Sequence, residues 1–124
     1  MLHEDITKLI IGCAMNVHKI LGSGFQEVIY QWAMEIEFKL SGIIFEREKE
    51  MKIYYKDEEI GTRRVDFFVS ETIMVELKAI SNLEDVHLSQ AMNYCEAYNT
   101  EVGLLINFGS KSLQFKRVHN KKIK

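Results

Sequence analysis

The sequence predicts an α/β fold with a mixed sheet, in the order α-α-β-β-β-α-β-β, and three observations predict it. Apolar residues recur every three or four positions from Ile6 to Leu40, switch to a period of two at Ile43, and return to helical spacing from Leu83 to Asn99. Two short apolar runs follow that last helical segment. The chain has 124 residues, 47% of them hydrophobic, with no proline and no low-complexity stretch, which fits one domain over 1–124 with a single core.

Each element has its own local reason. Ile6, Leu9, Ile10, Cys13, Val17, Ile20 and Leu21 lie at helical spacing and stop at Gly22. Ser23, with Gln26 three residues on, has the spacing of a capping box for a second helix. Ile29, Trp32, Ala33, Ile36 and Leu40 are its expected buried stripe, and Gly42 ends it. Ile43, Phe45, Met51, Ile53 and Tyr55 alternate with charged residues in a long, half-exposed strand. Lys56-Asp57-Glu58-Glu59 turns into a strand from Ile60 to Val69, and Ser70-Glu71-Thr72 turns into another from Ile73 to Ile80. These three strands form a meander. The Leu83 to Asn99 helix then crosses to Val102–Phe108, expected to run parallel to a neighbour, and Leu113–Val118 closes the set.

Composition excludes several classes. Seven Phe, five Tyr, one Trp and 27% charged residues describe a globular chain and not a disordered one. No apolar run has membrane-spanning length, and Glu4, Asp5 and Lys8 occupy the place of a signal peptide's apolar region, so a soluble, cytoplasmic protein is expected. Cys13 and Cys95 alone offer no disulfide framework and no thiolate metal set. Lys111, Lys116, Arg117, Lys121, Lys122 and Lys124 form a basic end without acids, leaving ten bases against eighteen acids upstream. The body therefore does not bind nucleic acid by bulk charge, whereas Lys121, Lys122 and Lys124 are candidate phosphate contacts or simply a solvated tail.

The chemistry gathers in Arg63-Arg64-Val65-Asp66-Phe67-Phe68-Val69 and Ile73-Met74-Val75-Glu76-Leu77-Lys78-Ala79. Glu76 and Lys78, two apart on a strand, share a face. A two-residue loop would put Asp66 opposite Val75, and a three-residue loop through Thr72 puts it opposite Glu76. The apolar pattern favours the longer loop, because it aligns Val65, Phe67 and Val69 with Ile73, Val75 and Leu77 on one dry face. Two carboxylates and a lysine on the other face are costly to bury unless paired or bound to metal. Alternation places Arg64 on the Asp66 side as a phosphate contact, with pairing to Glu46, Glu48 or Glu50 as its ordinary alternative.

The motif Gly24-Phe25-Gln26-Glu27-Val28-Ile29-Tyr30, preceded by Val17-His18 and Leu21-Gly22, precedes Asp66 and Glu76-Leu77-Lys78. His87, Gln90, Asn93-Tyr94 and the run from Gly103 to Gly109 follow in order. Over most of its length the chain resembles the GxxExxY proteins of the PD-(D/E)XK nuclease superfamily. Val65 stands where the superfamily's name has proline, a position that shapes only the approach to the aspartate. The resemblance implies a restriction-endonuclease-like core and a metal-dependent phosphodiesterase acting on DNA or RNA. It implies Mg²⁺ or Mn²⁺ as cofactor, with Glu27, Asp66, Glu76 and Leu77 as the metal set. Lys78 then positions the attacking water, and Gln90, on a stripe with His87 and Tyr94, approaches the water or the phosphate. Neighbouring acids favour the charged lysine, so an orienting role suits Lys78 better than that of a base.

Each assignment has a plainer reading. Asp66, Glu76 and Lys78 would also suit a structural ion-pair cluster, and any Glu at position 27 is favoured by the helix dipole. The alternative function is a catalytically silent module of the same fold that binds nucleic acid or a protein partner. A chain this short has little room for elements that select a substrate, so a homodimer or a partner is the expected source of them.

Overall fold

A computed structural model describes residues 3–122. Its elements are α1 (Glu4–Leu21), α2 (Glu27–Leu40), β1 (Phe45–Tyr55), β2 (Glu58–Val69), β3 (Ile73–Lys78), α3 (Asp85–Ala97), β4 (Val102–Asn107) and β5 (Gln114–His119). The five strands lie in the order β1-β2-β3-β4-β5, antiparallel except for the parallel β3/β4 pair that α3 connects. Among the described residues, no helix is long and apolar enough to cross a membrane.

The expected mixed sheet and element order are present, and the boundaries move for local reasons. The β1/β2 turn needs only Lys56 and Asp57, both at positive φ, so β2 begins at Glu58. The next turn is the three-residue loop, with Val69 opposite Ile73, Phe68 opposite Met74 and Phe67 opposite Val75. Ser23 is not the cap of α2. Gln26 takes that position, and the preceding loop is held instead by the Tyr30 hydroxyl, which accepts the Phe25 N–H at 3.2 Å and donates to the Gly22 carbonyl. Tyr30 is fully buried and stacks on Phe108 with ring centroids 4.6 Å apart, so the loop is anchored to the sheet.

Helices α1 and α2 cover one face of the sheet, where Ile10, Val17, Tyr30, Met34 and Phe38 pack on Phe67, Val75 and Leu77. Helix α3 covers the other face, where Ala91 and Cys95 meet Val65, Met74 and Val118. The expected stripe of α2 is the wrong one. Tyr30, Met34 and Phe38 face the core, while Trp32, Ile36 and Leu40 are 49%, 60% and 78% exposed. Both stripes have helical spacing, and only the aromatic fit of Phe38 against Phe45 and Phe67 selects between them. On α1, Leu9 and Ile20 likewise face outward, and Thr7 and Ala14 take buried positions.

Candidate metal centre at a fork in the sheet

The β2/β3 ladder ends at Phe67 and Val75, and beyond it the two strands diverge into a fork. Asp66 and Glu76 are the first residues past the split. The Asp66 carboxylate closes the gap that the ladder leaves, accepting the Leu77 N–H on Oδ2 at 2.7 Å and the Gln31 amide on Oδ1 at 2.9 Å. A strand residue sends its N–H and C=O toward the same neighbour, so the Leu77 carbonyl lies on the Asp66 side too, while its side chain is in the core. Arg63 closes the fork a second time with its guanidinium on Glu76, Nη1 to Oε1 at 2.7 Å and Nη2 to Oε2 at 3.3 Å.

Alternation breaks at Asp66, which changes the arginine assignment. Val65 packs on the α3 side, whereas Phe67 packs under α1 and α2, so the two do not share a face as the sequence pattern implies. Glu48, opposite this point on β1, sits at φ 53°, and the Arg47–Phe67 and Lys49–Val65 pairs flank it. The resulting kink sends Arg63 and not Arg64 to the carboxylates. Arg64 is 70% exposed and its contact is Glu48 at 3.9 Å, the ordinary pairing.

The remaining candidates fall on two sides of the fork. Glu27 opens α2 and, with Val28, Gln31, Glu48 and Asp66, lines a hollow of about 240 Å³. Lys78, Gln90, His87, Arg63, Tyr94 and Glu76 line a crevice of about 10 Å³, the room of a single water. His87 also completes the capping box of α3, whose N-cap is Glu84, its Nδ1 accepting the Glu84 N–H at 2.9 Å. Lys121 and Lys122 follow β5 near Val102, at the end of β4 remote from Asn107 and Lys78, and Lys122 pairs with Glu96 at 3.4 Å. Lys124 lies outside the described residues.

Three polar residues of the fork were not foreseen from the sequence. Gln31 is 4% exposed and transmits a contact from Arg47, whose Nη1 donates to its Oε1 at 2.8 Å while the guanidinium lies over Trp32. Its position four residues after Glu27 puts both on one helix face, a signal that was available. Arg47 and Arg63 carried no such signal, because both depend on the kink at Glu48.

A family model of the PD-(D/E)XK nuclease superfamily matches residues 4–118. The chain belongs to that superfamily. No curated protein matches it by sequence. Among solved structures it is similar to the crystal structure of SSO0001, at 17% identity and a TM-score of 0.63, over 94% of this chain and 58% of that one. At that identity the likeness concerns the fold alone, and this chain spans less than two thirds of SSO0001.

In this nuclease-superfamily domain the donor set suits a hard divalent cation. Among the described residues, no three or more His, Cys, Asp and Glu side chains gather as a ready-made cage. Mg²⁺ does not need one, since it keeps several waters and is commonly held by one or two carboxylates and substrate oxygens. The carboxylates are also poorly solvated. Burial pushes Glu76 up to about 7, with Asp66 adding to the rise and Arg63 and Lys78 opposing it. Burial likewise raises Asp66, against its hydrogen bonds and those two cations, and raises Glu27, with Asp66 adding. The charge of Lys78 thus acts on all three acids.

A pH dependence of stability follows. The folded state keeps the Glu76 proton above the ordinary value of 4.5, so stability present at low pH is lost as pH rises from 4.5 to about 7. The loss is at most on the order of 3 kcal/mol, since a tenfold difference in proton affinity between the folded and unfolded chain is worth about 1.4 kcal/mol. In EDTA the melting temperature should therefore fall between pH 5 and pH 8, and Glu76→Gln should reduce that fall. Equal slopes for the two proteins would mean that Glu76 is ionised throughout.

Proposed function

We propose that this chain is a metal-dependent nuclease that hydrolyses phosphodiester bonds of DNA or RNA, and that within its superfamily it is a GxxExxY protein. The observation that carries the reading is the fork itself, which brings Asp66 and Glu76 to adjacent strands with the charge of Lys78 acting on both. The subfamily reading is supported by Tyr30, whose hydroxyl holds the loop at Gly22 and Phe25 and so sets the first turn of α2, from which Glu27 faces the hollow of Asp66.

Asp66, Glu76, Glu27 and the Leu77 carbonyl would hold Mg²⁺ or Mn²⁺. When bound, the ion supplies a more acidic water and offsets charge growing on the phosphate oxygens. The chain's own residues do the rest. Gln31 and the Leu77 N–H fix the Asp66 carboxylate and leave each of its oxygens a further lone pair for the ion. Lys78 orients the attacking water and stabilises charge on the phosphate, and Gln90, exposed at the same crevice, hydrogen-bonds one or the other. Arg64, Lys121, Lys122 and Lys124 would add phosphate contacts away from the reacting bond.

Single- and double-stranded DNA and RNA, each with Mg²⁺, Mn²⁺ or EDTA, provide the test. Cleavage with an ion, none in EDTA and none by Asp66→Ala is the expected result. Failure to cleave any of the four substrates with either ion would overturn the reading. The Arg63–Glu76 pair favours a second reading, a silent module of the same fold that binds nucleic acid or a protein partner, because the guanidinium occupies a carboxylate a metal would need.

A further inference from the structure

The side chains of Arg63 and Glu76 are unequally held. That of Glu76 is 9% exposed, and that of Arg63 is 25% exposed. The guanidinium spans both carboxylate oxygens, reaches the Arg64 carbonyl at 3.0 Å, and lies over the Tyr94 ring with 3.8 Å to its centroid. The acid is thus fixed in the sheet, while the base has a solvent side and an aromatic surface to turn on. A buried carboxylate left ionised without a partner is strongly destabilising, so an ionised, metal-free Glu76 needs a counter-cation. A guanidinium bound to both oxygens takes one lone pair of each on the side facing Arg63, and its positive charge there opposes a divalent ion on the same carboxylate.

We propose that Arg63 is a placeholder cation, holding Glu76 in the metal-free protein, yielding it to a divalent ion, and then turning on Tyr94 to receive a substrate phosphate. The inference rests on the metal-dependent reading above. Phosphate is the natural second partner, since its oxygens match the planar donor fork that carboxylate oxygens match. Arg64, tied to Glu48 at the surface, does not duplicate the role.

The test is a titration of wild-type protein and Arg63→Gln with Mn²⁺, read from the paramagnetic resonance signal of the free ion. The variant should bind Mn²⁺ about fivefold more tightly or better, the usual size of coupling between competing ligands, because nothing must be displaced. Arg63→Lys, which keeps a charge but cannot span both oxygens, should fall between the two, and it serves if Arg63→Gln does not fold. A short single-stranded oligonucleotide should lose affinity for Arg63→Gln in Ca²⁺ but not in EDTA, where the wild-type guanidinium is still on Glu76. Wild-type binding of Mn²⁺ with equal or weaker binding by both variants overturns the placeholder role and leaves the metal reading intact. Equal loss of oligonucleotide affinity in EDTA and in Ca²⁺ also overturns it. No Mn²⁺ binding by any of the proteins overturns both.

Discussion

Lys78→Ala should lower the cleavage rate at saturating substrate by about a hundred- to a thousandfold, the usual cost of removing one donor aimed at developing charge. Nucleic-acid affinity should change little. The side chain leaves β3 beside Glu76, shares a crevice with Gln90, and acts electrostatically on Glu27, Asp66 and Glu76 together. On the proposed nuclease reading a group in that position would meet the water and the phosphate where charge grows, so its interaction would be strongest in the transition state and weak in the bound ground state. Single-turnover rates and fluorescence anisotropy, measured on one oligonucleotide, separate the two quantities. A variant that loses affinity while keeping its single-turnover rate would assign Lys78 to substrate binding.

Gly109→Ala should destabilise the fold by about 3 kcal/mol or more, at the upper end of overpacking costs. A methyl group at Gly109 would overlap both the Ile80 N and O atoms. Those are backbone atoms, so no side chain can rotate away. The same approach is tied by Asn107, fully buried, whose Oδ1 accepts the Ile80 and Gly109 N–H groups and whose Nδ2 donates to the Ile80 carbonyl, all at 3.0 Å. Each bond lost there costs about 1 kcal/mol. Against a total stability of about 5–15 kcal/mol, a fall in melting temperature of roughly 10 °C or more is expected. Gly24→Ala, with open space around the added methyl, is the control and should stay within about 0.5 kcal/mol of wild type. Equal melting of the two variants would contradict the close approach. The Lys78 carbonyl accepts the Phe108 N–H at 2.8 Å, so displacing Gly109 should also disturb the lysine and lower activity.

The run from Gly103 to Gly109 therefore has a structural explanation apart from any chemistry. Gly103 faces Cys95 Sγ and Val118 so closely that a methyl would meet them at 2.6 and 2.8 Å, and Asn107 locks the exit of β3. His18 is similar, its Nε2 lying 3.0 Å from the Ser110 carbonyl and tying α1 to the loop after β4. Within the motif that opens at Gly24, Tyr30 is the anchor and Glu27 the group it leaves facing the fork.

By itself the sequence determined the element order, the mixed sheet and the three-residue loop that sets Val69 against Ile73. These depend on short-range periodicity, and a one-residue slip would have turned either Phe67 and Val69 or Ile73 and Val75 away from the core. Tertiary structure alone decided which stripe of α2 is buried, which arginine reaches Glu76, and that Gln31 and Arg47 brace Asp66. The helix stripe was undetermined because two apolar faces satisfy the same 3.6-residue period, and only the shape of the sheet beneath can choose. The arginine was undetermined because strict alternation assumes a regular strand. A left-handed residue at Glu48 and a ladder that ends at Phe67 turn the chain at the residue carrying the chemistry, and neither is written in the local pattern.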